Sequence, residues 1–272
     1  MTVETATETA VDTTADADTA PGVAGGTWIF LRGMLREQRH WGDFPERFRR
    51  AIPGSVVITP DLPGNGSLHD QPSLTSIEDT VAWLRAEVRR RGVSGPVHLL
   101  ANSLGGMVAL AWAAAAPEEV AGAVLVNSSQ RGYSRFYERF RPVAWPVLLR
   151  MLLTAPSAQR VESDILALIS RHAEGGDPRA DWARWRLEAP VSRRNGLRQL
   201  IAAARFRTPR SAPAGRLLLL ASDGDRLVDP RCSTRLAEAW GSAIAVHPSA
   251  GHDLPLDAPD WVIAQVRDWL AA

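Results

Sequence analysis

The chain has 272 residues, 45% of them hydrophobic, and its 31 basic and 30 acidic residues give a formal net charge of +1. This composition allows one large buried core, and the near-neutral balance argues against a nucleic-acid-binding protein. Every basic residue is an arginine, which excludes Schiff-base chemistry and phosphate binding through the lysine of a P-loop.

The first 26 residues differ from the rest of the chain. They are rich in threonine and alanine and contain five acids and no basic residue, which predicts a disordered acidic tail. The tail lacks the positive start and apolar stretch of a signal peptide, and no segment approaches the roughly 18 apolar residues of a membrane span. Together with the single cysteine, Cys232, these features predict a cytoplasmic protein with no membrane partner.

Strands and helices then alternate along the chain. Apolar runs predict strands at 27–31, 55–60, 97–102 and 120–126, separated by helices at about 42–50, 76–91 and 104–116. Ser76 and Asp79 fit a capping box that begins the second of these helices. Because such alternation is typical of a parallel sheet, we expect an α/β fold.

The alternation is interrupted between residues 129 and 213. This segment contains apolar pieces of helical length, 145–153 and 161–169, separated by several prolines. We interpret it as a helical cap of about four helices that is inserted into the core fold.

The cap is the most basic part of the chain. Between Arg131 and Arg210 lie sixteen arginines and seven acids, a balance of +9 that leaves −8 for the remaining residues. The positive electrostatic field of such a cap would steer anionic substrates, for example acyl-CoA thioesters or carboxylated esters, towards the mouth of the site. The alternative, which the composition favours, is an arginine-rich solvated surface without a functional role.

The C-terminal part returns to the alternation. Strands at 216–221 and 243–247 and helices at 231–240 and 260–270 follow the cap. One face of the last helix carries Val262, Val266, Trp269 and Leu270, which predicts packing against the sheet. We therefore expect a mostly parallel sheet of about six strands in one core formed by residues 27–128 and 214–272.

A serine lies at one strand-to-helix turn. Ser103 follows the strand at 97–102, and Ala101 and Gly105 lie two residues before and after it. Small residues at these positions let the strand and the helix approach closely, and the tight turn directs the hydroxyl away from the sheet. The pattern is that of a nucleophile elbow, with alanine in place of the first glycine of Gly-x-Ser-x-Gly.

A base and an acid for this serine follow two later strands. A serine hydroxyl is a weak nucleophile until an imidazole removes its proton. His252 follows the strand at 243–247, and Asp223, Asp225 and Asp229 follow the strand at 216–221. The order serine, aspartate, histidine differs from the orders found in the two well-known serine protease folds.

These motifs resemble the α/β-hydrolase family, and the resemblance extends from residue 28 to residue 270. The family places its acid three residues before an aliphatic residue. This implies Asp225, three residues before Val228, as the acid, with Asp223 as the second choice. The family's Gly-His motif implies His252 as the base.

The third aspartate has a structural interpretation. Asp229 is followed by Pro230 and by the predicted helix at 231–240. Aspartate caps helix N-termini well, and proline is favoured just inside them. We expect Asp229 to cap this helix.

The resemblance also implies an oxyanion hole made by two backbone N–H groups. Leu104, the residue after the serine, would supply one. Met34 would supply the other, because Arg32-Gly33-Met34 follows the first strand where the family commonly has His-Gly-x.

The substrate pocket is predicted between the cap and the serine. Its apolar candidates are Trp145, Met151, Trp182 and Trp185, which would favour an acyl or aromatic group. The alternative role for each of them is packing between cap helices. We predict no metal site and no cofactor, and the expected partner is a small ester-like substrate.

These residues predict a serine hydrolase that cleaves a carboxylic ester through Ser103, His252 and Asp225 and an acyl-enzyme. Thioester hydrolysis, lactone opening and the hydrolysis or lyase cleavage of carbon–carbon bonds are alternatives on the same fold. An alternative of another class is a non-catalytic scaffold that only binds a ligand.

Overall fold

A computed structural model describes residues 25–154, 156–174 and 176–272, apart from the side chain of Leu152. The predicted acidic tail, except for its last two residues, lies outside the described residues.

Six strands form one parallel sheet. They are β1 (Thr27–Leu31), β2 (Val56–Ile58), β3 (Val97–Asn102), β4 (Val120–Val126), β5 (Arg216–Ser222) and β6 (Ala243–His247). Their order in the sheet is β2-β1-β3-β4-β5-β6, and every neighbouring pair is parallel. The predicted α/β class with a parallel sheet of about six strands is therefore confirmed.

Eleven α-helices occur in the described part of the chain. They are α1 (Phe44–Ala51), α2 (Ile77–Arg90), α3 (Leu104–Ala115), α4 (Phe136–Arg139), α5 (Trp145–Leu153), α6 (Ala158–Ile169), α7 (Arg179–Glu188), α8 (Arg193–Arg205), α9 (Arg231–Trp240), α10 (Leu254–Asp257) and α11 (Pro259–Ala271). Helix α2 begins as its capping residue predicts, because the Ser76 hydroxyl accepts a hydrogen bond of 3.1 Å from the Asp79 N–H.

The first helix begins two residues later than predicted. A 3-10 turn covers Gln38–Trp41, and Gly42 then has a φ of +55°. A left-handed residue cannot continue a right-handed helix, so α1 begins only at Phe44.

The two faces of the sheet are buried under different helices. Ile29 and Leu31 of β1 belong to the cluster formed with α2, α3 and α9, whereas Trp28 and Phe30 pack with α1 and α11. Successive side chains of a strand point to opposite faces, so a sheet covered on both sides has continuous apolar strands. This arrangement explains the apolar runs in the sequence.

Helices α4–α8 lie between β4 and β5 in the chain and are called the helical insertion below. The insertion has its own small apolar cluster, which includes Val161, Ile165, Ile169 and Trp182. It also contacts the core loops directly, because the Ile169 carbonyl at the end of α6 accepts a hydrogen bond of 2.9 Å from the Asp253 N–H.

Candidate active site

Ser103 occupies the sharp turn between β3 and α3. Its backbone has a φ of +55° and a ψ of −115°, which costs a non-glycine residue about 1–3 kcal/mol. Its N–H donates to the Val126 carbonyl at 2.9 Å, and its carbonyl accepts from the Gly106 N–H at 3.0 Å and the Ser128 hydroxyl at 2.8 Å. These three bonds hold the serine in its strained conformation.

Glycines make the close packing around this turn possible. A Cβ at Gly105 would lie 2.5 Å from the Leu31 carbonyl oxygen, and a Cβ at Gly106 would lie 2.5 Å from Ser128 Oγ. Helix α3 therefore packs directly against the end of β1. On the other side of the turn, the methyl group of Ala101 is completely buried, so the fold accommodates alanine at the first glycine position of the motif.

Asp225 and His252 are in direct contact. His252 Nδ1 lies 2.7 Å from Asp225 Oδ2, and Asp225 Oδ1 accepts hydrogen bonds from the N–H groups of Leu227 at 2.7 Å and Val228 at 2.9 Å. Asp225 is 1% exposed and His252 is 4% exposed. A carboxylate held in this way fixes the ring orientation and places the imidazole proton on Nδ1.

The other ring nitrogen of His252 is free. Nε2 is buried and has no hydrogen-bond partner among the described residues. Ser103 and His252 line the same cavity. When Nδ1 carries the proton, Nε2 is the basic nitrogen, so the cavity contains both a serine and an available proton acceptor.

The two other candidate aspartates do not contact His252. Asp223 is exposed, although it lies only two residues before Asp225. Asp229 Oδ1 accepts a hydrogen bond of 3.0 Å from the Arg231 N–H in the first turn of α9. The N-cap position of α9 is Pro230, one residue later than predicted. Asp229 lies just before the N-cap, and its carboxylate accepts the hydrogen bond from the first turn of the helix.

Asn127 is a polar contact that the sequence analysis missed. Its backbone has a φ of +45° just after β4, and its side-chain amide donates to Ser222 Oγ at 2.7 Å and to the His252 carbonyl at 2.9 Å. Asn127 therefore ties the ends of β4 and β5 to the histidine loop. The sequence signal that could have indicated Asn127 is its place as a polar residue directly after a buried strand.

Two backbone N–H groups are free beside Ser103. Neither Met34 nor Leu104 donates a backbone hydrogen bond to any other described group, and both residues line the cavity. The loop after β1 approaches the serine closely, because a Cβ at Gly33 would lie 3.1 Å from Ser103 Cβ. The oxyanion role that the sequence resemblance implies for these two amides stays a prediction.

The residue next to Met34 is held by the helical insertion. Leu35 has a φ of +62°, and its N–H donates to Gln199 Oε1 of α8 at 2.9 Å. The Gln199 amide nitrogen donates in turn to Asn65 Oδ1 and Ser73 Oγ, both at 3.0 Å. Gln199 is 4% exposed, so a buried hydrogen-bond network connects the insertion to the loop that carries Met34.

Arg36 belongs to a buried charge cluster behind the same loop. Its Nη1 donates to Glu162 Oε2 at 2.7 Å and lies 2.9 Å from His40 Nε2, and Arg186 also pairs with Glu162. Burial and the neighbouring Arg36 hold the pKa of His40 well below its usual range, so the ring is neutral. Burial opposes ionisation of Glu162, but Arg36 and Arg186 outweigh it and lower the pKa of that carboxyl.

The cavity at Ser103 has a volume of about 300 Å³. Its walls are mainly apolar and come from both the core and the insertion, and they include Met107, Phe140, Val147, Leu148, Ile165 and Leu200. The polar groups are confined to a few residues near the serine and to three arginines. Such a cavity suits an apolar group attached to a reacting polar centre.

Of the four residues predicted to enclose the pocket, only Met151 lines this cavity. Trp145 is on the outer side of α5 and is 44% exposed, and its indole N–H donates to the Phe140 carbonyl at 3.1 Å. Helix α5 is apolar on both sides, so its sequence does not indicate which side faces inward.

Trp182 and Trp185 lie between the insertion and the loop after β1. The Arg36 guanidinium lies 4.5 Å from the centre of the Trp182 ring, and that of Arg39 lies 5.3 Å from the Trp185 ring. Both indoles make cation–π contacts with this loop, and neither lines the cavity.

No helix within the described ranges is both long enough and apolar enough to span a bilayer.

A protein-family model described as the alpha/beta hydrolase family matches residues 22–265. Among curated proteins, a Haemophilus influenzae protein assigned as a 2-succinyl-6-hydroxy-2,4-cyclohexadiene-1-carboxylate synthase is 33% identical over 85 residues. This match covers 31% of the present chain and 32% of that protein, so the chain spans about a third of the relative's length.

Several solved structures share the fold. A protein from Acinetobacter baumannii described as a lipase has a TM-score of 0.73 and 22% identity, covering 90% of this chain and 83% of its own. An esterase from Thermogutta terrifontis has a TM-score of 0.70 and 20% identity, covering 92% of both chains. A monoacylglycerol lipase from Paleococcus ferrophilus has a TM-score of 0.59 and 20% identity, covering 92% of this chain and 96% of its own.

Proposed function

Because this chain belongs to the alpha/beta hydrolase family, we propose that it is a serine hydrolase that cleaves a carboxylic ester. The observation that carries the proposal is the contact of 2.7 Å between His252 Nδ1 and Asp225 Oδ2 beside a cavity that also contains Ser103. Serine, histidine and aspartate together at three loop positions form the set that nucleophilic acyl transfer requires.

In the first half of the proposed reaction, Ser103 Oγ attacks the ester carbonyl carbon while His252 Nε2 accepts the hydroxyl proton. The Asp225 carboxylate stabilises the imidazolium that forms. The negative oxygen of the tetrahedral intermediate accepts hydrogen bonds from the free N–H groups of Met34 and Leu104. The intermediate then expels the alcohol, which takes the proton from His252, and leaves an acyl group on Ser103.

In the second half, a water molecule attacks the acyl carbonyl carbon and gives a proton to His252 Nε2. The same two N–H groups stabilise the second tetrahedral intermediate. Its collapse releases the carboxylic acid and returns the proton to Ser103 Oγ. None of these steps requires a cofactor.

The apolar cavity supports a substrate with a hydrophobic acyl group. Its volume of about 300 Å³ lies at the lower end of the usual range for small-molecule sites. Met107, Leu148 and Ile165 contribute side chains without hydrogen-bonding groups to its wall. We therefore expect esters of apolar acids to react faster than acetyl esters.

The test is hydrolysis of a 4-nitrophenyl ester series from acetyl to dodecanoyl by the wild type and by Ser103→Ala. The variant should lose about four or more orders of magnitude in kcat, because the three residues act as a unit. A fluorophosphonate probe should label the wild type at Ser103. An unchanged rate in the variant would contradict the proposal.

A further inference from the structure

Three arginines line the cavity at Ser103: Arg32, Arg36 and Arg139. Two of them are neutralised by buried carboxylates, since Arg32 pairs with Asp253 and Arg36 pairs with Glu162. Arg139 has no acidic partner among the described residues. The cavity therefore contains one guanidinium whose charge the surrounding protein does not compensate.

The contacts of Arg139 satisfy only a small part of its guanidinium. Nη2 donates to the Ala203 carbonyl at 2.9 Å in the last turn of α8, and Nε is buried with no partner in the described part of the chain. Nη1 makes no hydrogen bond to any described residue. A guanidinium has five N–H donors, so most of the hydrogen-bonding capacity of Arg139 remains available.

The contact with Ala203 also suggests a purely structural role, because a cation near a helix C-terminus is favourable. Arg131 already performs that role at the same helix end, since its Nη1 donates to the Ala204 carbonyl at 3.0 Å from an exposed position. Arg131 does not line the cavity. Burial lowers the pKa of Arg139, because a partly desolvated position disfavours an uncompensated cation.

We propose that Arg139 binds a carboxylate carried by the substrate, within the same cavity that contains Ser103. The inference rests on the proposed function and narrows its substrate class to esters whose apolar acyl group ends in a carboxylate. An anion is the ligand that completes the site, because it supplies both the missing charge and the acceptors for the free N–H groups. Apolar residues of the same cavity, which include Phe136, Phe140 and Ala204, accommodate the acyl chain that carries this carboxylate.

The experiment compares pairs of 4-nitrophenyl esters with equal chain length, one ending in a methyl group and the other in a carboxylate, from four to ten acyl carbons. At the best chain length, the wild type should have a kcat/KM for the carboxylated ester about 10- to 150-fold higher than for the methyl-terminated ester. This ratio corresponds to the free energy of a hydrogen bond to a charged group. Arg139→Met should abolish this preference, and Arg139→Lys should retain part of it.

Arg131→Met is the matched control, because it removes a comparable arginine contact with the last turn of α8 outside the cavity. It should leave the ratio of the two rates within about twofold of the wild type, as expected for a surface change. An equal loss of preference in Arg131→Met and Arg139→Met would overturn the inference, since loosening of α8 would then explain both.

A binding measurement separates this inference from the proposed function. The Ser103→Ala variant is titrated with monomethyl esters of dicarboxylic acids and with the matched methyl esters of monocarboxylic acids, using calorimetry. Hydrolysis of neutral esters by the wild type without any carboxylate preference overturns the inference and leaves the proposed function intact. Carboxylate binding that depends on Arg139, with no hydrolysis of either series, supports the inference and contradicts the esterase. If neither the hydrolysis assay nor the binding assay shows a preference for the carboxylated ligand that depends on Arg139, the inference is overturned.

Discussion

Arg32 and Asp253 form a buried two-point ion pair that joins the loop of Met34 to the loop of His252. Arg32 Nη1 donates to Asp253 Oδ1 at 3.1 Å, and Nη2 donates to Asp253 Oδ2. Arg32 is 5% exposed and Asp253 is completely buried, and the guanidinium also lies 4.5 Å from the centre of the Trp41 ring. The pair thus fixes the position of the proposed oxyanion donor relative to the proposed base.

Removal of one member of this pair should destabilise the protein strongly. Arg32→Met leaves the Asp253 carboxylate buried without a counter-charge, and we expect a loss of about 3–5 kcal/mol in the free energy of unfolding. Urea denaturation measures this loss. In the double variant Arg32→Met with Asp253→Asn neither charge of this pair remains buried, so most of the stability should return. A double variant no more stable than Arg32→Met would show that charge burial is not the cause.

Asp225→Asn tests the orientation of His252. Asparagine can still accept the hydrogen bonds from Leu227 and Val228, so the turn should keep its fold. It cannot supply the negative charge that stabilises the imidazolium, and we expect kcat to fall by about 10²- to 10⁴-fold. The matched control is Asp223→Asn at the exposed position two residues earlier, which should change kcat by less than about twofold. Equal losses in the two variants would contradict the assigned role of Asp225.

Local patterns were enough to predict the fold and the three proposed reacting groups. Ser103, Asp225 and His252 each follow a strand in a short turn whose residue types determine its shape, so a few neighbouring residues carry the information. Gln199 could not be predicted in this way, because its contact with Leu35 joins residues 164 positions apart. Such a contact depends on how the insertion packs against the core.

The tryptophans of the insertion show the same limit. The sequence left two roles open for these tryptophans, lining the cavity or packing between the helices of the insertion. Trp182 packs with the apolar cluster of the insertion and under the Arg36 guanidinium, and Trp145 faces outward. The sequence of a helix gives the spacing of its apolar residues, whereas the direction of an apolar face is set by its neighbours. These neighbours come from distant parts of the chain.

Glu119 should control the acid stability of the fold. Its carboxylate accepts hydrogen bonds from Arg85 at 2.7 Å and from the Trp112 indole at 2.8 Å, and Arg89 also pairs with it. The hydrogen bonds from Arg85 are the main cause that lowers the pKa of Glu119 to about 2 in the folded protein. A folded-state pKa below the ordinary value of 4.5 means that the stabilisation is complete above about pH 4.5 and is lost as the pH falls towards 2.

Glu119→Gln should therefore lower the unfolding free energy by about 1–2 kcal/mol at pH 7, and the difference from the wild type should shrink as the pH falls from about 5 to 2. Thermal unfolding followed by circular dichroism across this pH range measures the effect. Glu118→Gln is the control, because the neighbouring Glu118 is exposed. A difference between wild type and Glu119→Gln that does not change with pH would contradict the prediction.

Gln199 should position the oxyanion loop without touching the substrate. Gln199→Leu removes the acceptor for the Leu35 N–H. Leu35, which has a φ of +62°, then lacks the hydrogen bond that holds its backbone. Because small displacements of a catalytic group are costly, we expect kcat to fall by about 10- to 100-fold. KM should change by less than about threefold, since ground-state contacts are kept. Affinity for a boronic acid, which mimics the tetrahedral intermediate, should fall in parallel with kcat/KM.

Asn195→Leu is the matched control for this variant. Asn195 lies one turn earlier on α8 and is equally buried. It accepts a hydrogen bond from the Ser73 N–H at 2.9 Å and donates one to the Gln71 carbonyl at 2.9 Å, but it makes no hydrogen bond to Leu35. Both variants should lose about 1–3 kcal/mol in unfolding free energy, because each leaves buried polar groups unpaired. Only Gln199→Leu should lose affinity for the boronic acid. If Asn195→Leu lowers kcat and that affinity equally, the effect comes from general loosening of α8 and Gln199 has no specific part in positioning the loop.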